Sequence, residues 1–313
     1  MNALRPRDFV ECDGLLAAVT SVVHPEGPTV TPRYLRLGDG LRKLDAVQGR
    51  AWVVARHPDW LVDSSLLGVE VVLVPVGAIE RVHRPESRLA ALLASAGPHP
   101  FERRAAAVAR ALMEQGVSAA RLGVTGSLLV GAATTASDMD LVAYGRAAFA
   151  AARSALAALQ AAGRWHGLEE ADWRVAWERR GAPGDFATYV WHEARKGTKA
   201  LADGVRVDLS LLQDAHEGMA ERPPYRKLGR CDIEATVRDA SAGFDYPARF
   251  GVAHPELEEV VSYTATYAGQ AEAGEHILAS GWLEEDREGR RRLLVGTSRE
   301  AVGEWLMVQR GTA

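Results

Sequence analysis

The stretch from Leu122 to Gly145, LGVTGSLLVGAATTASDMDLVAYG, constrains this chain more than any other. It opens on an apolar, strand-like run at 122–124, followed by Gly126-Ser127 and a short apolar turn to Gly131. A loop of small polar residues leads to Ser137, and a second strand carries Asp138 and Asp140 into Leu141, Val142 and Ala143. Side chains alternate along a strand, so residues two apart share a face. Asp138 and Asp140 are therefore expected side by side. Two carboxylates that close raise each other's proton affinity, and a cation between them relieves the repulsion. Hard oxygen ligands of this kind suit Mg²⁺, which keeps waters and substrate phosphates as its other ligands.

The Gly-Ser step supplies the other half of a phosphate site. Gly126 has no Cβ and lets the main chain approach a ligand closely. Ser127 is expected to cap a short helix over residues 128–131, whose first N–H groups attract anions. The plainer reading is a Ser-capped helix followed by a strand that starts in an Asp turn, and either half alone is weak as a functional signal.

The pattern G-S-x10-D-x-D, Gly126-Ser127 to Asp138-Met139-Asp140, resembles the signature of the polymerase-beta-like nucleotidyltransferase superfamily. Gly131, Ser137 and Leu141 fit its longer form, G-S-x3-G-x5-S-D-x-D-L. The resemblance implies a third carboxylate on a later strand, and GVRVDLSLL (204–212) offers Asp208 among alternating apolar residues. It further implies that Asp138, Asp140 and Asp208 are catalytic and bind Mg²⁺ or Mn²⁺, and that Gly126, Ser127 and Ser137 bind the nucleotide. These motifs cover only the middle of the chain. More loosely, the RDF at 7–9, the HPEG at 24–27 and the RPE at 84–86 resemble a group of predicted archaeal-type nucleotidyltransferases with flanking segments.

At 313 residues there is room for two or three domains. A net charge of −4 argues against a protein that is basic throughout, while leaving room for a local basic groove. Cys12 and Cys231 cannot make a zinc site alone, and a disulfide between them is not expected without an export signal. The N-terminus lacks the apolar core of a signal peptide, and no run reaches the length of a membrane span. The expectation is a cytoplasmic protein with no membrane partner.

The fold class expected is α+β: a minimal nucleotidyltransferase core, a mixed sheet with helices, flanked by a mixed α/β segment and a small β barrel or sandwich. The domains are placed at 1–96, 97–220 and 221–313. In the first, 9–11 and 15–23 read as strands joined at Asp13-Gly14, and 69–74 as another. The Pro- and Gly-containing 24–32 reads as a loop, 44–55 as a helix weakened by Gly49, and 85–94 as a helix. His24, His57 and His83 are either a metal site or, more commonly, ordinary turn and surface histidines.

GPHP at 97–100 reads as a boundary, with helices after it at 101–115 and 146–162. An insertion at 164–200 contains helical stretches at 168–180, with Trp173 and Trp177 on one face, and at 186–196. Arg195, Lys196 and Lys199 then either hold triphosphate oxygens or form a solvated basic helix end. ERPPYRKLGR (221–230) reads as a linker. Beyond it, candidate strands at 233–237, 260–267, 276–283 and 291–295 suggest a small barrel or sandwich, with an OB-like barrel one form of it. Tyr263 and Tyr267 would share a strand face suited to stacking bases, or fill the interior. Arg290, Arg291 and Arg292 would add positive charge, or form a solvated edge.

The expected reaction is transfer of an NMP from an NTP or dNTP to an acceptor hydroxyl, with release of pyrophosphate. The favoured acceptor is a nucleic-acid 3′ end, on single-stranded nucleic acid or RNA. A small-molecule or protein hydroxyl, or a nucleotide-binding regulatory module without turnover, are the alternatives.

Overall fold

Alternating apolar residues from Phe9 onward build an antiparallel sheet in the computed structural model, which describes residues 3–310 apart from 23, 25, 65–68, 96, 98, 181–183, 215, 218–224 and 298–301. Its strands are β1 (Phe9–Cys12), β2 (Leu15–Ser21), β3 (Thr29–Leu37), β4 (Gly40–Lys43), β5 (Leu61–Ser64), β6 (Val69–Leu73) and β7 (Arg81–His83). They lie in the order β5-β6-β3-β2-β1-β7, with β4 also paired to β3. The Asp13-Gly14 turn joins β1 to β2 as expected. The expected loop at 24–32 is shorter, because β3 already begins at Thr29. Pro32 misled the reading: it sits beside a bulge, where a strand tolerates a residue without an N–H. Helix α1 (Ala46–Arg56) starts with a reciprocal cap between Asp45 and Gln48. Gly49, which weakened the helix in sequence, is there for contact: a Cβ on it would fall 2.8 Å from the Pro32 Cβ.

The same compact unit, residues 1–64, 69–167 and 198–212, contains a second sheet. Helices α2 (Pro85–Ala94) and α3 (Pro100–Glu114) each open with proline at the first turn, where its missing N–H is harmless. They lead to β8 (Leu122–Val124), α4 (Gly126–Leu129), β9 (Met139–Tyr144) and α5 (Arg146–Ala161). Strands β10 (Lys199–Ala202) and β11 (Val205–Leu212) complete the order β10-β11-β9-β8, in which only β9 and β11 run parallel. Met139, Leu141, Ala143, Val207, Leu209 and Leu211 form a buried row on these strands, and α5 packs on β9 and β11.

The second unit takes residues 168–197 and 213–313. Helices α6 (Glu170–Arg180) and α7 (Phe186–Arg195) meet edge to face through Trp173 with Tyr189 and Trp177 with Phe186. Strands β12 (Arg226–Asp239), β13 (Ala248–Ala253), β14 (Glu259–Ser262), β15 (His276–Glu285) and β16 (Arg291–Val295) close into a five-stranded barrel, β12-β13-β14-β16-β15 and back to β12. Strand β17 (Trp305–Val308) adds to β15. The barrel core includes Phe250, Val260, Ile277, Leu293 and Leu306.

Three readings of this unit are corrected. The expected linker at 221–230 is strand from Arg226, while residues 221–224 lie outside the described residues, as does Pro98 in the 97–100 boundary. Tyr263 and Tyr267 do not share a strand face: β14 ends at Ser262 and Tyr267 sits in a 3₁₀ turn with its hydroxyl on Glu304 O at 3.0 Å. The arginine run adds no free charge. Arg290 pairs with Asp286, Arg291 with Glu285 and the buried Arg292 with Glu284. The whole chain is a mixed α+β protein, and no helix among the described residues is long and apolar enough to cross a membrane.

Candidate active site

The register of the second sheet assembles the acidic group. Asp208 lies opposite Asp140 on the parallel pair, and Lys199 lies opposite Asp208 on the antiparallel one. Cross-strand partners share a face, so Lys199, Asp208 and Asp140 form a row across three strands. One alternation earlier come Arg206 on β11 and Asp138 immediately before β9. Three carboxylates and two cations thus occupy one end of one sheet face. Lys199 Nζ reaches Asp208 Oδ2 at 2.5 Å, and an Arg206 Nη2 lies 2.6 Å from Asp138 Oδ1. That second contact is close but badly aligned, for Asp138 Oδ1 accepts no hydrogen bond.

Asp140 is different. Among the described residues its half-buried carboxylate receives no hydrogen bond or ion pair. Burial first, then the charges of Asp208 and Asp138, push its carboxyl up to about 6, against the pull of Arg7 and Arg33. A carboxylate raised by desolvation and two like neighbours is a common mark of a functional site.

Gly126 closes against this carboxylate. A Cβ there would fall 2.2 Å from Asp140 Oδ2, and the backbone adopts φ +66°. Both conditions demand glycine. The local helix differs from expectation: it spans Gly126–Leu129, so Ser127 lies inside it rather than capping it. The cap residue, Thr125, sends its hydroxyl to Arg7 O at 2.9 Å instead. The Ser127 hydroxyl makes no hydrogen bond among the described residues. Ser137 closes the preceding turn, its Oγ accepting from Thr134 N at 2.9 Å.

The remaining predicted residues divide. Lys199 belongs to the acidic row as the partner of Asp208. Arg195 and Lys196 lie in the second unit with partners of their own. Arg195 forks onto Glu275 at 2.7 and 2.5 Å, and the buried Lys196 binds Glu193 at 2.6 Å and Thr266 O at 2.8 Å. Sequence reasoning missed Arg7, Arg33 and Arg206 as neighbours of the acids. The alternation Val205-Arg206-Val207-Asp208 was the available signal for Arg206. Arg7 lies in the turn before β1 and Arg33 in β3, and spacing alone gave no sign of them.

The three scattered histidines make separate contacts: His57 stacks on Trp60 at 3.9 Å, His83 meets Glu11 at 3.1 Å, and His24 accepts from Glu26 N. Cys12 and Cys231 are both free.

The chain is similar to the uncharacterized protein MJ1086 of Methanocaldococcus jannaschii. The two are 28% identical over 339 aligned positions, which cover 98% of this chain and 99% of that one. No protein-family model matches, and no solved structure does.

Proposed function

We propose that the protein is a metal-dependent nucleotidyltransferase of the polymerase-beta-like kind. The observation that carries this is the unpartnered Asp140 carboxylate, packed against Gly126 and flanked by Asp138 and Asp208. The donor set suits a hard divalent cation: three carboxylates share one end of a sheet face, although their oxygens do not all lie within 4.8 Å of one another, and their mutual repulsion would fall with a cation bound. Asp138, Asp140 and Asp208 would hold Mg²⁺ or Mn²⁺, which when bound neutralises triphosphate charge and stabilises the attacking and leaving oxygens.

The chain's own groups do the rest. Gly126 lets the phosphate chain approach the main chain, and the free Ser127 hydroxyl donates to it. Lys199 holds Asp208 in place to take the proton of the acceptor hydroxyl. That oxygen attacks the α-phosphorus, the bond from the α-phosphorus to the bridging oxygen breaks, and pyrophosphate leaves.

The acceptor reading follows the cations. Arg195, Lys196, Arg226, Arg230 and Arg290–Arg292 are all ion-paired within the protein. An acceptor that needs little positive surface, a small molecule or a protein hydroxyl, is therefore favoured. A second reading, a nucleic-acid 3′ end, is supported by the closed five-stranded barrel, an architecture that resembles OB barrels and that often binds oligonucleotides.

A label-transfer assay with every NTP and dNTP tests both readings. It offers single-stranded RNA, single-stranded DNA, primer–template or no added acceptor, with Mg²⁺ or Mn²⁺. The expected result is transfer lost in the Asp138→Ala/Asp140→Ala double variant. Label on the protein or a small molecule supports the first acceptor, and label on one nucleic acid the second. Transfer undiminished in the double variant refutes the site.

A further inference from the structure

Arg7 and Arg33 are each set by irregular backbone. Arg7 adopts φ +75°, a conformation that disfavours residues with a Cβ. Such strain persists only where the surroundings over-determine it, and here they do. Arg5 N donates to Asp8 Oδ2 at 3.0 Å and Asp8 N to Arg5 O at 3.1 Å, closing the turn around Arg7. Arg7 N donates to Val19 O at 2.9 Å, and its carbonyl takes the Thr125 hydroxyl. Thr125 immediately precedes Gly126, and its own N–H donates to the main-chain oxygen of Asp140 at 2.9 Å.

Arg33 is the extra residue of a β-bulge: Leu16 faces Tyr34, and the next residue, Ala17, faces Pro32. Bulges re-aim side chains and recur beside active sites. Leu16 and Tyr34 pack with Phe9 and with Leu129 of α4, so the bulge sits on the helix that Gly126 begins. Both guanidinium groups act on Asp140 through their charge. Among the described residues, neither makes a side-chain hydrogen bond or an ion pair. Their neighbours on the same unit do: Arg5 pairs with Glu86, Arg36 with Glu11, and Arg84 with Asp8.

Two half-buried cations, one on strained and one on bulged backbone beside the Gly126 turn, make no ion pair among the described residues and act on Asp140 by charge alone. We infer that Arg7 and Arg33 bind the phosphate chain of the substrate at this turn, the role that sequence assigned to Arg195, Lys196 and Lys199. The inference deepens the nucleotidyltransferase reading and rests on it only for the identity of the ligand.

Calorimetric titration of the full chain with inorganic tripolyphosphate, with and without Mg²⁺, tests it. Arg7→Gly removes the charge while glycine accepts the backbone conformation, so its thermal midpoint should not fall below the parent's. The parent should bind. Arg7→Gly and Arg33→Ala should each weaken binding about 10- to 100-fold, the loss of a charge-assisted contact. Arg33→Lys should recover part of it. Arg50→Ala, a control at an exposed cation paired with Glu70, should bind like the parent.

Failure of the parent to bind, or binding of both folded variants within twofold of it, overturns the assignment. The nucleotidyl-transfer reading stands or falls separately. Tripolyphosphate binding lost in the arginine variants, in a protein that transfers no nucleotide, leaves the arginines in place and removes the reaction. Transfer with arginine variants that bind normally does the reverse.

Discussion

At Asp140 the native state carries a carboxylate that it would be more stable without. Its proton affinity is raised from an ordinary aspartate's to about 6, so the folded protein binds a proton more readily than the unfolded chain between about pH 4 and 6. Stability therefore falls as pH rises through that window, and the full penalty is present above it. Asp140→Asn should raise the thermal midpoint at pH 8 by a few degrees, corresponding to about 1–3 kcal/mol. The gain should shrink toward pH 4. Melting curves across pH check this, and an Asn variant less stable than the parent at pH 8 would contradict it. A residue whose removal stabilises the fold is the signature of a site kept for function.

The turn from β8 into α4 is where element-level geometry meets the site. Alanine at Gly126 must adopt φ +66° and place its Cβ 2.2 Å from Asp140 Oδ2. Gly126→Ala is expected to lower stability by about 1–3 kcal/mol and to weaken nucleotide binding, read by thermal denaturation and calorimetry. An unchanged melting midpoint would show that the turn yields to a Cβ at this position.

Much at this scale was legible in sequence. The alternation in 204–212 and the apolar runs flanking Asp138 and Asp140 fix β9 and β11, because period-2 patterning with a buried row permits one register. The helices were legible from apolar spacing at the helical period, although Pro100, read as part of the 97–100 boundary, is the first residue of α3. What escaped was set by contacts distant in sequence. Pro32 looked like a loop residue because the bulge that accommodates it depends on β2. Gly49 looked like a helix breaker because the Pro32 ring it clears lies on another element. Ser127 looked like a cap, and the hydroxyl of Thr125 is spent on Arg7.

For the whole molecule, charge compensation decides more than charge count. The net charge of −4 left open a local basic groove, yet the basic stretches at 195–199, 226–230 and 290–292 are largely paired with acids, and Arg292 with Glu284 is fully buried. Sequence showed the cations and could not show their pairing, since several partners stand on distant segments, Glu275 for Arg195, Glu285 for Arg226 and Glu304 for Arg230 among them. Binding to single-stranded RNA should thus be weak and depend only shallowly on salt, with a log–log slope below about 2, since few phosphates would be neutralised and few counterions released. Filter binding across salt concentrations measures it, and a steep slope would return the acceptor to nucleic acid.

The most direct test of the central claim, that Asp138, Asp140 and Asp208 form a metal–nucleotide site, is calorimetric binding of a non-hydrolysable nucleoside triphosphate with and without Mg²⁺. Parent and Asp140→Asn proteins are compared under identical conditions. Mg²⁺-dependent binding that falls at least tenfold in a variant that melts higher than the parent is the predicted result. Equal affinity in the two proteins, or parent binding indifferent to Mg²⁺, would contradict it.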